Sequence, residues 1–261
     1  MKCIITEVRS LTLSSALIVF TKVPQKGKVK TRLNEFLNTE QIESLQIAMI
    51  KDCIESGLKA EYERIIFSIT PEDAKEEFVE KINLKSNSST KIEFITQKGE
   101  TFDTRFHRSV KDGFGMKEIN KLAIIGSDCP FINPVIHDDL LKHLDDPSNV
   151  VLGWSKDGGV YIVGLSKILG KNFNFQDKFS GGIESWLLIE EAEKNKLVVK
   201  DLPELTDIDT PEDLRHAYIL CKNLKKAGLF YPKHTDEAFD NIGLYIEDQE
   251  DNRSRNIKVK K

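Results

Sequence analysis

The stretch "FTKVPQKGKVKTRL", residues 20–33, sets Lys22, Lys26, Lys28, Lys30 and Arg32 within eleven positions and has no acid among them. An apolar run, "ALIVFT" (16–21), comes just before and reads as a strand. After it, Ile42, Leu45, Met49, Cys53 and Leu58 recur at helical spacing. The order is therefore strand, basic loop, helix. Such a loop in a chain of net charge -4 is a local feature, and local positive charge fits a local anion. A solvated lysine-rich turn is the alternative. Gly27 permits a tight turn and Pro24 restricts the approach. The reading places Lys30, Thr31 and Arg32 near the N-terminus of the first helix, where backbone N–H groups and the dipole favour an anion. With its single glycine, the loop is neither a Walker loop nor a dinucleotide fingerprint.

The same alternation continues outward. "RIIFSIT" (64–70), "KIEFIT" (91–96) and "KLAIIG" (121–126) read as strands, with helical patterns after each. "NVVLGW" (149–154) and "VYIVGL" (160–165) follow, joined by "SKDGG". That link is too short for a helical crossover, so these two strands form an antiparallel excursion. A helix near 183–195 leads to "LVVKDL", and "TDIDTPEDL" opens a last capped helix. Strands alternating with helices predict a mainly parallel sheet covered on both faces. Residues 1–15 read as an N-terminal extension, 16–228 as one domain, and 229–261 as a C-terminal extension. The acidic and then basic end of that extension, from about 244, reads as partly disordered.

Composition narrows the function classes. The chain of 261 residues is 39% hydrophobic and 31% charged, an ordinary globular balance. Its slight negative charge argues against nucleic acid or a membrane surface as partner. No apolar run approaches the roughly 20 residues that span a bilayer, and no signal peptide is evident. Cys3, Cys53, Cys129 and Cys221 are scattered, which fits reduced thiols in a cytoplasm. The five His show no zinc spacing.

Ligands in open α/β sheets bind outside the carboxyl ends of the strands. Four loops follow predicted strands: 22–32, "GSDCP" (126–130), "SKDGG" (155–159) and "TDIDTP" (206–211). Asp128 ends an apolar strand and could hold a divalent cation or cap the next helix. Cys129 beside it reads as a packed side chain. Asp157 could contact a hydroxyl or act as a base on it, or could simply make a hairpin turn with Gly158 and Gly159. Asp207 or Asp209 could supply a second metal carboxylate. Thr210, Pro211 and Asp213 read as a helix start, with Asp213 structural.

"FTKVPQKGKVKTRL", "AIIGSDCPFI", "LGWSKDGGVYIVGL" and "DIDTPEDL" together resemble a family of GT-A-fold transferases long catalogued as a domain of unknown function. Its members are associated with radical-SAM, selenoprotein-type or arsenosugar-biosynthesis genes. Gln97 and Arg105 fit a family stretch running from a Gln to an Arg. The chain departs at Val160, where the family has an aromatic, and at "FSGGIESW" (179–186).

The resemblance implies a three-layer α/β/α nucleotide-diphospho-sugar transferase (GT-A, Rossmann-like) fold. It implies a metal-dependent glycosyltransferase that takes a nucleotide-sugar donor, a small-molecule acceptor and Mg or Mn. Lys22, Gly27, Lys30, Thr31 and Arg32 would face the nucleotide and its phosphates. Gln97, Arg105, Asp157, Gly158 and Gly159 would face the sugar or acceptor. Asp128 and Asp209 would hold the metal, with Asp128 and Asp157 catalytic. Guanylyltransferases of phospholactate type have a comparable Lys-Thr-Arg-Leu segment, so a nucleotidyltransferase that releases pyrophosphate is the alternative. A non-catalytic nucleotide-sugar-binding protein is a third reading. Oligomeric state is left open.

Overall fold

In the computed structural model, residues 14–60, 62–83, 90–170, 172–179, 181–247 and 256–260 are described. The N-terminal extension, up to residue 13, and Cys3 lie outside them. A seven-stranded sheet runs through the molecule in the order β3-β2-β1-β4-β6-β5-β7. The strands are β1 (Ser14–Lys22), β2 (Arg64–Thr70), β3 (Lys91–Thr96), β4 (Ile119–Ile125), β5 (Asn149–Trp154), β6 (Val160–Ser166) and β7 (Val198–Asp201). β1 is parallel to β2 and β4, β2 to β3, and β5 to β7. Only β6 runs against its neighbours, β4 and β5, as the short 155–159 link requires.

β1 is buried along its whole length except at Lys22, because helices cover both faces of the sheet. Its odd residues Leu17 and Val19 join a core with Leu45, Met49 and Cys53 of α1 (Thr39–Lys59), Leu140 of α4 (Pro134–His143) and Leu214 of α7 (Pro211–Lys226). Its even residues Ala16, Ile18 and Phe20 join the opposite core. There they meet Phe106 and Val110 of α3 (Phe102–Gly115) and Leu188 of α6 (Glu184–Lys194). This is the three-layer α/β/α sandwich.

The structure differs from the sequence reading in two places. First, no α-helix starts at Lys30–Arg32. A 3-10 turn occupies Thr31–Glu35, and α1 starts at Thr39 under a capping box of Asn38 and Gln41. The helix N–H groups are therefore spent on Asn38, away from the loop cations.

Second, 229–261 contains elements that the sequence reading did not assign, while residues 248–255 of the tail expected to be partly disordered lie outside the described residues. The elements are α8 (Lys233–Ile242) and a hairpin of β8 (Leu244–Glu247) with β9 (Asn256–Val259). Phe239, Ile242, Leu244 and Ile257 enter the α1-side core. The N-terminus of α8 is held by Asp52 of α1, whose carboxylate accepts from His234 N, Thr235 N and Thr235 Oγ1 at 3.0, 2.7 and 2.7 Å. The low apolar content of the tail concealed these few anchoring residues.

Candidate active site

The chain leaves β1 towards α1 on one side of the sheet, and β4 lies on the other side of β1. That reversal opens a crevice at the carboxyl ends of β1 and β4. A cleft of about 390 Å³ lies there, lined on its polar side by Lys22, Lys28, Lys30, Thr31, Arg32, Asp128 and Asp209. Phe20, Thr21, Gln46, Gln97, Phe102, Arg105 and Ser127 complete the wall.

The basic loop is shaped by its apolar residues. Val23 donates its N–H to Thr70 O at 2.9 Å, and Val23, Val29 and Leu33 are buried. These anchors leave the intervening cations to project. Gly27 stands at φ +72 with open space around it, so the glycine serves the backbone angle and does not touch the cleft. Lys26 pairs with Glu40 at 2.8 Å on the surface. Of the five cations, Lys22, Lys28, Lys30 and Arg32 remain in the cleft wall.

Lys30 differs from the others. Its backbone is left-handed, φ +42, a conformation costing a non-glycine residue about 1–2 kcal/mol. Its side chain is only 3% exposed, and its ammonium lies 2.8 Å from both Asp128 Oδ1 and Asp209 Oδ1. Burial by itself lowers the ammonium's pKa. The two carboxylates outweigh this and hold it above the ordinary value. Asp128 thus faces the cleft, and the cap of α4 is Asn133, whose Oδ1 accepts from Ile136 N at 3.1 Å.

A third carboxylate stands close by. Burial, then repulsion by Asp128, Asp209 and Asp157, pushes Asp207 up to about 7. Its Oδ1 is buried with no hydrogen-bond partner among the described residues. Ile208 N donates to Asp128 O at 2.9 Å and ties the two acidic loops together. Thr210 and Asp213 form a capping box at the start of α7. Asp128 and Asp209, held by one ammonium in the cleft wall, are a carboxylate pair that suits a hard divalent cation, while the three-residue group with converging ligand atoms among the described residues is Asp52, Glu55 and His234.

The remaining predicted residues divide. Gln97 and Arg105 reach the cleft. Both N–H groups of the Gln97 amide are committed, to Thr21 O at 2.9 Å and Ser68 O at 2.8 Å. Arg105 Nη1 donates to Glu100 O at 2.9 Å. Asp157, Gly158 and Gly159 do not line the cleft. They build the β5–β6 turn, in which Asp157 Oδ1 accepts from Ser155 Oγ at 2.7 Å and Gly159 N at 3.1 Å. Asp157 makes the hairpin turn through Oδ1, a role compatible with a substrate contact through its other oxygen. Cys53, Cys129 and Cys221 are free, buried thiols, and burial raises Cys129 well above its ordinary range.

Sequence reasoning missed Gln46, Ser127, Thr21 and the aromatic wall. Ser127 Oγ shares a hydrogen with Thr21 Oγ1 at 2.9 Å and accepts from Gln46 Nε2 at 3.0 Å. The sequence did contain a signal: Gln46 adjoins Leu45 on the largely apolar, buried face of α1. A buried amide on a core face usually answers a specific partner.

The model of the family described as "Uncharacterized protein conserved in bacteria (DUF2064)" matches residues 54–181. That range includes Asp128 and the 155–159 turn but not the basic loop. Among curated proteins, 2-phospho-L-lactate guanylyltransferase of Methanocaldococcus vulcanius is 27% identical over 92% of this chain and 97% of its own length. The protein of the same name from Methanocaldococcus jannaschii is 29% identical over 83% of this chain and 92% of its own length. Among solved structures, one from Desulfovibrio desulfuricans G20, described provisionally as a nucleotide-diphospho-sugar transferase, superposes with TM-score 0.72 at 22% identity. It spans 87% of this chain and 94% of that one. A cytidylyltransferase from Leptospira borgpetersenii superposes at TM-score 0.51 and 15% identity, over 88% and 94%. The architecture is therefore that of the nucleotide-diphospho-sugar transferases.

Proposed function

We propose that this transferase joins the nucleotidyl part of a nucleoside triphosphate to a small phosphorylated acceptor and releases pyrophosphate. The observation that carries the reading is the pair of curated guanylyltransferases, which align over 92% and 83% of the chain. It moves the balance from the sugar transferase to what was the alternative. The transferase unit, on this reading, runs from β1 through the C-terminal helix α8, beyond the boundary at 228.

The geometry supports the same chemistry. An acceptor phosphate oxygen attacks the α-phosphorus, the bond to the bridging α–β oxygen breaks, and pyrophosphate leaves with the electron pair. Lys22, Lys28 and Arg32 neutralise the charge that gathers on the leaving group, and they are fixed before it forms. Asp128 and Asp209 would hold a divalent cation, Mg or Mn, which when bound adds to that neutralisation. A phosphate acceptor is already ionised and needs no base. A sugar acceptor's hydroxyl does need one, and the Asp157 carboxylate is engaged in a turn. Guanosine triphosphate and a phosphorylated hydroxy acid are the substrates to try first, by analogy with the named relatives.

The second reading, glycosyl transfer from a nucleotide-sugar donor to a small-molecule acceptor, keeps the support of the four-loop resemblance and of the D. desulfuricans structure's description. The test is to offer each of the four ribonucleoside triphosphates with manganese or magnesium and 2-phospho-L-lactate or related phosphorylated hydroxy acids. Acceptor-dependent pyrophosphate release supports nucleotidyl transfer. Release of a nucleoside diphosphate from a nucleotide sugar, with no pyrophosphate from any triphosphate, overturns it in favour of the second reading.

A further inference from the structure

The position of the Lys30 ammonium has a chemical consequence of its own. It is 2.8 Å from one oxygen of Asp128 and 2.8 Å from one oxygen of Asp209, the two carboxylates best placed to take a divalent cation. The side chain is sealed from solvent, while the two acids are 45% and 42% exposed on their cleft side. Both acids must surrender oxygens that Lys30 now occupies before a metal ion can use them. Lys28 does not compete, because its Nζ donates to Gln25 Oε1 at 3.0 Å.

We propose that Lys30 is a resident counter-cation which occupies the carboxylate pair in the nucleotide-free protein, so that a divalent ion enters only when a nucleotide's phosphates draw the ammonium away. Metal and nucleotide then bind with positive coupling, each removing an obstacle to the other. Lys30 has alternative partners within the same cleft, because phosphate oxygens held by Arg32 and Lys22 would lie among these walls. The carboxylate pair trades an ammonium of charge +1 for a metal ion of charge +2, the ammonium trades carboxylates for phosphate, and the negative charge brought in by the nucleotide offsets that of the metal. This inference rests on the cleft being a nucleotide site, but not on which group is transferred.

The test is manganese binding to the intact protein, read by electron paramagnetic resonance of free manganese, for wild type, Lys30→Met, Lys30→Gln and Lys28→Met. Circular dichroism and thermal melting check that each variant is folded. The methionine keeps most of the lysine stem, and the glutamine keeps donors without charge. Without nucleotide, both Lys30 variants should bind manganese at least tenfold more tightly than wild type. Lys28→Met should change affinity less than threefold, since it alters only the general potential. A non-hydrolysable nucleoside triphosphate should tighten manganese binding strongly in wild type and much less in Lys30→Met.

Manganese binding by folded Lys30 variants that is equal to or weaker than that of wild type overturns the proposal. A gain in Lys28→Met as large as that in Lys30→Met overturns it too. Absence of pyrophosphate release from every triphosphate would sink the transfer reading alone, because the manganese titration is made without turnover.

Discussion

Replacing Gly158 by alanine tests whether the 155–159 turn belongs to the donor cleft or stands apart from it. Gly158 has φ +88, a region where an L side chain costs about 1–2 kcal/mol. A Cβ there would lie 2.1 Å from Gly182 O, a backbone atom that cannot rotate away. Relief requires the turn and the 181–182 segment to separate. Ser185 opposes this, because its N and Oγ both donate to Gly158 O, at 3.1 and 2.9 Å. Breaking those two bonds costs about 1 kcal/mol each. The sum is about 3–4 kcal/mol. For two-state unfolding of a chain this size, that lowers the Tm by roughly 6–12 °C. Gly158 does not line the cleft, so nucleotide affinity, measured by calorimetric titration below the Tm, should stay within threefold of wild type. A folded variant with unchanged Tm would refute the steric reasoning. A tenfold loss of nucleotide affinity would put the turn in the donor site.

Arg32→Ala should weaken triphosphate binding by about 1.5–3 kcal/mol and leave nucleoside binding unchanged; equal loss of both would show that Arg32 does not reach phosphate. Asp128→Asn should abolish metal-dependent turnover at nearly native stability, because α4 is capped by Asn133; unaltered metal dependence would remove Asp128 from the metal set. Asp157→Asn keeps the amide oxygen that the turn needs, so turnover should fall less than threefold, whereas a hundredfold drop would reinstate it as a base.

The last prediction concerns pH. Burial pushes His137 down to about 4 from an ordinary 6.5, so the folded protein holds it neutral. Its contribution is complete above pH 6.5 and is lost as pH falls towards 4, by up to roughly 3 kcal/mol. Asp52, which burial raises to about 6, acts in the opposite sense and gains stability as pH falls from about 6 to its unfolded value. Denaturant midpoints should therefore fall less between pH 7 and 4.5 in His137→Leu than in wild type. Parallel curves would rule out the histidine.

The sheet was legible because β1, β2 and β4 are nearly unbroken apolar runs, the mark of strands buried on both faces. The β5–β6 reversal could be read from a link too short for a helix. Polar positions were harder. Asp157 and Gly158 carry both a turn signal and a catalytic one, and the two are compatible: the hydrogen bonds of Asp157 Oδ1 show the turn. Lys30 read as one cation among five, since no local pattern tells a buried ammonium from a solvated one. Its burial depends on Asp209, 179 residues away in the chain. α8 was missed because Asp52, which holds it, is one of four acids on α1 and no local pattern sets it apart.

That acid and Gln46 share α1, six residues or about 9 Å apart along the helix axis. One grips the C-terminal helix, and the other reaches Ser127 in the cleft wall. The C-terminal helix and the cleft wall are therefore mounted on the same rigid rod. An affinity tag that strains α8, or a shortened clone that stops at residue 228, would leave Asp52 buried without its three donors and loosen the rod that carries Gln46. Preparations that differ only at the C-terminus should then differ in activity, and an inactive truncated preparation would say nothing against the chemistry of the cleft.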